Sequence, residues 1–79
     1  MSKKNYDYSK LLGKMREKHI TQEQLAHSIG IAESTMSIKL KNKGQFSQDE
    51  MVMILNVLNI PLEHIAIYFF CSNTFENAS

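Results

Sequence analysis

Apolar positions recur every three to four residues in five stretches of this chain, and each recurrence predicts a helix. Tyr8, Leu11, Leu12 and Met15 fall at i, i+3, i+4 and i+7, one face of a first helix that Asp7 is placed to cap. Lys10, Lys14, Arg16 and Lys18 lie off that stripe, toward the end where the helix macrodipole favours cations. Gly13 interrupts the helix at a cost of about 1 kcal/mol relative to Ala, so its stability depends on packing.

The second stretch opens on a dense start signal, Ile20-Thr21-Gln22-Glu23-Gln24-Leu25. Thr21 and Gln24 have the spacing of a capping box, with Ile20 and Leu25 as a hydrophobic staple. Leu25, Ala26 and Ile29 supply the buried side, and Gly30 follows where a left-handed residue ends a helix without steric cost. A third helix, roughly Glu33 to Lys41, starts after Ala32 and buries Met36 and Leu40. Its remaining positions, Glu33, Ser34, Thr35, Ser37, Ile38 and Lys41, face mostly away from the core.

After the polar loop Asn42-Lys43-Gly44-Gln45 the start signal repeats, with Ser47 and Glu50 as the box and Phe46 as the staple to Met51. The helix it opens runs to about Leu58 and is apolar nearly all round, which predicts a central helix buried between others. Asn59 can end it, and Pro61 suits the first turn of a last helix. There Leu62, Ile65, Ala66 and Phe69 form one stripe, while Ile67, Tyr68, Phe70 and Cys71 remain apolar on other sides. No segment reads as a strand. The expectation is an all-α, compact five-helix bundle over residues 7–71, with an arm at 1–6 and a polar tail at 72–79.

Composition narrows the picture. A chain of 79 residues is one small domain, which buries only about 60–65% of its unfolded surface. Its one cysteine excludes an internal disulfide, and no Cys/His spacing suggests zinc. His19, His27 and His64 share no ligand spacing, no hydroxyl has a plausible base partner, and neither an enzyme nor a cofactor is expected. No run approaches a membrane span or a signal-peptide core, so a soluble cytoplasmic protein is expected.

The net charge of +1 conceals a division. Residues 1–45 hold all nine Lys and Arg against four acids, whereas residues 46–79 hold four acids and no base. Such a positive pole attracts a polyanion without making the whole protein sticky. Two short capped helices joined by a Gly-containing turn, at about 21–41, form a helix-turn-helix pattern whose second helix can enter a major groove. Ala26 is small where the helices cross, and Ile31 plugs into the core after the turn.

On Thr21-Gln22, Leu25-Ala26, Ile29-Gly30-Ile31 and Ser34-Thr35-Met36-Ser37, residues 20–60 resemble the phage-repressor helix-turn-helix family of lambda and 434 repressor and Cro. YDYSKLLGKMREK, STMSIKLKNKGQF and LEHI ending in YFF resemble most the small Cro-like regulators and repression modulators of phages of Gram-positive bacteria. The resemblance implies a lambda-repressor-like fold and a DNA-binding transcriptional regulator. By position it implies base contacts from Glu33, Ser34, Ser37 and Ile38, and phosphate contacts from Gln22, Thr35, Lys39, Lys41, Asn42 and Lys43. Ala32 stands where the family has a capping hydroxyl, and Glu33 adds a negative charge that repels phosphate.

The partners expected are double-stranded DNA and a second copy of the chain, because useful affinity requires two half-sites. Ile67, Tyr68, Phe70 and Cys71 would supply the dimer surface. The alternative is an antirepressor or modulator of repression that binds a partner repressor through the C-terminal helix. A weaker third option is the DNA-recognition subunit of a toxin–antitoxin pair.

Overall fold

The computed structural model describes residues 6–70, which form five α-helices. They are α1 (Ser9–Glu17), α2 (Gln22–Ile29), α3 (Glu33–Leu40), α4 (Gln48–Val57) and α5 (Ile65–Phe69), the last preceded by a 3₁₀ turn at Leu62–His64. Both capping boxes form: Thr21 and Gln24 exchange bonds at the start of α2, and Ser47 and Glu50 at the start of α4.

The first four helices end alike. His19, Gly30, Asn42 and Asn59 each take a left-handed conformation, with φ of 59°, 81°, 66° and 58°. In each case the next N–H donates back five residues, from Ile20 to Met15, Ile31 to Ala26, Lys43 to Ile38 and Ile60 to Leu55, at 2.9–3.0 Å. This Schellman closure satisfies the last carbonyls of the helix. At three of the four ends it also turns an isoleucine, Ile20, Ile31 or Ile60, onto the core. Gly30 and Asn59 are legible as stops. His19 and Asn42 are less so, because histidine is a weaker marker of this state than glycine and Asn42 is one of several polar residues in its loop.

The core gathers Leu11 and Met15 of α1, Leu25, Ala26 and Ile29 of α2, Met36 of α3, and Ile54 and Leu55 of α4, with Leu58 and Ile60 beyond it. Its closure is aromatic. Tyr8, Phe46 and Phe69 meet edge to face, with centroids 5.6 Å (Tyr8–Phe46), 6.3 Å (Tyr8–Phe69) and 5.4 Å (Phe46–Phe69) apart. Burial pushes the Tyr8 hydroxyl above its ordinary pKa, with the Tyr6 hydroxyl adding to the shift.

Three sequence expectations need correction. α4 is not buried all round: Ile54 and Leu55 are inside, but Val52 and Met53 are each 39% exposed, because α4 is covered on one side only. The last helix does not bury the stripe Leu62, Ile65, Ala66, Phe69. Its first turn winds as 3₁₀ and leaves Leu62 exposed, and within α5 Ala66 is exposed while the core side is Ile65, Tyr68 and Phe69. At α1 the cap position falls to Tyr8, and the Asp7 carboxylate instead accepts the Ser9 N–H at 2.9 Å.

Two substitutions measure this packing. Ile54→Ala should lower unfolding free energy by about 2–5 kcal/mol, through lost contacts and a cavity. Gly13→Ala should raise it by about 0.5–1 kcal/mol, because nothing lies within 4 Å of the added methyl. Urea titrations of the two variants check both signs.

Candidate functional site

α2 and α3 are joined by Gly30-Ile31-Ala32, and α3 is anchored by one fully buried side chain, Met36. The start of α3 has no side-chain cap, since Ala32 stands there. Of the proposed base readers, Glu33, Ser34 and Ile38 are exposed and Ser37 is half-buried. The loop after α3 folds back on it: a methyl added at Gly44 would lie 3.3 Å from Ile38 Cγ2.

The proposed phosphate contacts divide. Lys41 and Lys43 are exposed, while Gln22 and Thr35 are half-buried. Lys39 is committed elsewhere. Its Nζ donates to Glu50 Oε1 at 2.7 Å and lies 5.9 Å from the Phe46 ring centroid, and only 16% of its side chain is exposed. Asn42 is committed as well. Its Oδ1 accepts the Tyr6 N–H and its Nδ2 donates to the Tyr6 carbonyl, both at 2.9 Å. This side-chain amide pairs with backbone as a neighbouring strand would, so it ties Tyr6 to the loop after α3. By sequence pattern alone Tyr6 belongs to the N-terminal arm.

Glu50 joins two helices through one oxygen, which accepts the Ser47 N–H at 2.9 Å as well as the Lys39 ammonium. Burial pulls the Glu50 pKa upward, but the Lys39 and Ser47 hydrogen bonds and the Lys39 charge outweigh it, leaving the carboxyl below 4.5.

At the C-terminal end, Leu62, Ile67 and Phe70 are 59%, 45% and 48% exposed. Phe70 stands edge-on to Tyr6 at 6.0 Å. Of the proposed partner surface, Ile67 and Phe70 are therefore outward, while Tyr68 is half-buried against the core and Cys71 lies outside the described residues. Tyr68 also adds to the upward shift of the Lys14 pKa, which comes chiefly from the Glu17 carboxylate at 3.2 Å.

A further feature has little signal in the sequence. A groove of about 790 Å³ is lined by His19, Ile20, Glu23, Gln24, His27, Ser28, Ile31, Glu33 and Val57. Its one sequence signal is the i, i+4 spacing of Glu23 and His27, which puts both on one side of α2. Among the described residues no three His, Cys, Asp or Glu side chains converge as a metal site. No single helix there is long and apolar enough to cross a membrane.

A family model described as a protein of unknown function (DUF739) matches residues 4–72. The chain belongs to the DUF739 family. The match spans all the surfaces described above. A solved structure gives the family chain a relative: the solution structure of the modulator of repression (MOR) of the temperate bacteriophage TP901-1 from Lactococcus lactis. The two are 43% identical, the alignment covers 82% of this chain and 88% of that one, and the TM-score is 0.70. No curated protein matches the chain.

The ion pair sets a pH dependence. Because the Glu50 pKa is lower folded than unfolded, its stabilisation is fully present above the ordinary value of 4.5 and is lost as pH falls through the lowered one. Glu50→Gln should be less stable than the parent at neutral pH and should lose less on acidification. Denaturation midpoints measured from neutral pH to below 4.5 test this directly.

Proposed function

We propose that this DUF739 chain is a phage regulatory protein that modulates repression by binding a partner repressor protein. The observation that carries the reading is the 43% identity to a modulator of repression over 88% of that relative's chain. The local chemistry of α3 agrees with it. Two of the polar side chains proposed for phosphate, Lys39 and Asn42, are held in internal hydrogen bonds, and Glu33 brings a negative charge to the start of the helix. The surface offered to a protein is Ile67 and Phe70, with Leu62 exposed in the preceding 3₁₀ turn. Exposed aromatic and aliphatic side chains are the usual anchors of protein interfaces.

A second reading keeps α3 as a DNA-reading helix in a Cro-like, dimeric helix-turn-helix protein. It is favoured by the exposed Ser34, Ile38, Lys41 and Lys43 on and just after α3. Under it, Ile38→Ala costs affinity at specific sites only, and Lys41→Ala weakens all DNA alike.

Gel shifts with a phage repressor offered as partner, and with that repressor's operator, separate the two. The chain alone should leave operator DNA unshifted and should supershift or release the repressor–operator complex. Ile67→Ser with Phe70→Ser should weaken that effect by about tenfold or more, the size of a 1.4 kcal/mol loss. A specific shift by the chain alone, with no effect on the repressor complex, would overturn the reading.

A further inference from the structure

The groove between α2, the start of α3 and the end of α4 has a charge that its surroundings do not predict. Between residues 6 and 45 the chain carries seven bases and four acids, yet the groove is lined by Glu23 and Glu33 and by no Lys or Arg. Both carboxylates are exposed, and neither has a salt-bridge partner among the described residues, although two lysines elsewhere do find acids. Beside them Ile20, Ile31 and Val57 are half-buried and present an aliphatic strip. Arginine and lysine match this combination, because each has an apolar stem that can lie on such a strip and a cationic head that seeks a carboxylate. At about 790 Å³ the groove holds more than one side chain, so it suits a short segment of polypeptide. Nucleic acid would meet the two carboxylates and be repelled.

We infer that this groove seats an arginine or lysine, flanked by aliphatic residues, from a segment of a protein partner. Only the identity of that partner as a repressor rests on the reading given under "Proposed function". Glu23 and Glu33 also lie in the first turns of α2 and α3, where the macrodipole favours an acid. That purely structural role predicts a small stability change on substitution and no ligand.

The test uses the full chain, labelled with nitrogen-15 and titrated with two probes, acetyl-Leu-Arg-Leu-amide and acetyl-Leu-Glu-Leu-amide. The arginine peptide should move the amide resonances of Glu23, His27, Ile31 and Glu33 saturably, and the glutamate peptide should not. Glu23→Gln with Glu33→Gln, which keeps the shape and removes the charge, should weaken the arginine peptide by about tenfold while the spectrum stays that of a folded chain. The inference is overturned if the arginine peptide leaves these resonances unmoved, if both peptides move them equally, or if the double variant binds as the parent does. The titration contains no repressor. Groove binding without repressor binding would therefore sink the repressor reading alone, and the reverse would sink the groove alone.

Discussion

The fold closes on three rings. Tyr8 enters α1, Phe46 precedes α4 and Phe69 sits in the last turn of α5, so their mutual contact ties together segments far apart in sequence. Each ring buries a large apolar area, and the edge-to-face geometry adds about 0.5–1.5 kcal/mol per pair beyond that burial. A five-residue α5 has no stability of its own. It exists because Phe69 is held between Tyr8 and Phe46, and Ile67 and Phe70 are positioned only as a consequence. Tyr6 extends the same cluster outward, packing on Tyr8 and Phe70 while its backbone is bound by Asn42.

The polar side chains near α3 show how scaffold and function compete for the same groups. Glu50 closes the α4 capping box and holds Lys39 with a single oxygen, so the α3–α4 angle and the start of α4 are fixed together. Asn42 ends α3 in a left-handed turn and spends its amide on the arm. Both lie close to where a DNA-binding helix would need mobile donors. With them committed, the charge remaining around α3 is Lys41 and Lys43 against Glu33. A protein partner tolerates that mixture better than a phosphate backbone does.

Much of this was legible in the sequence because it depends on local rules. The two capping boxes, the Gly30 and Asn59 stops and the helix order follow from residues three or four apart. The remainder is decided by tertiary packing. Nothing local reveals that α4 is covered on one side, or that the turn after Pro61 winds as 3₁₀ and that α5 turns Tyr68 rather than Ala66 to the core. The site was less legible still. Lys39 and Glu50 are eleven residues apart, and Tyr6 and Asn42 thirty-six, so no periodicity joins either pair. The groove draws on α2, α3 and α4 at once, and only folding brings Glu33 and Val57 to one cavity.

If the proposed modulator reading holds, the chain buries apolar surface against a repressor, and titration calorimetry with that repressor and with its operator duplex reads this out. Binding to the repressor with a negative heat-capacity change, and no heat with the duplex alone, is the predicted result. Specific binding to the duplex alone, with affinity falling steeply as salt rises, and no heat with the repressor, would contradict it.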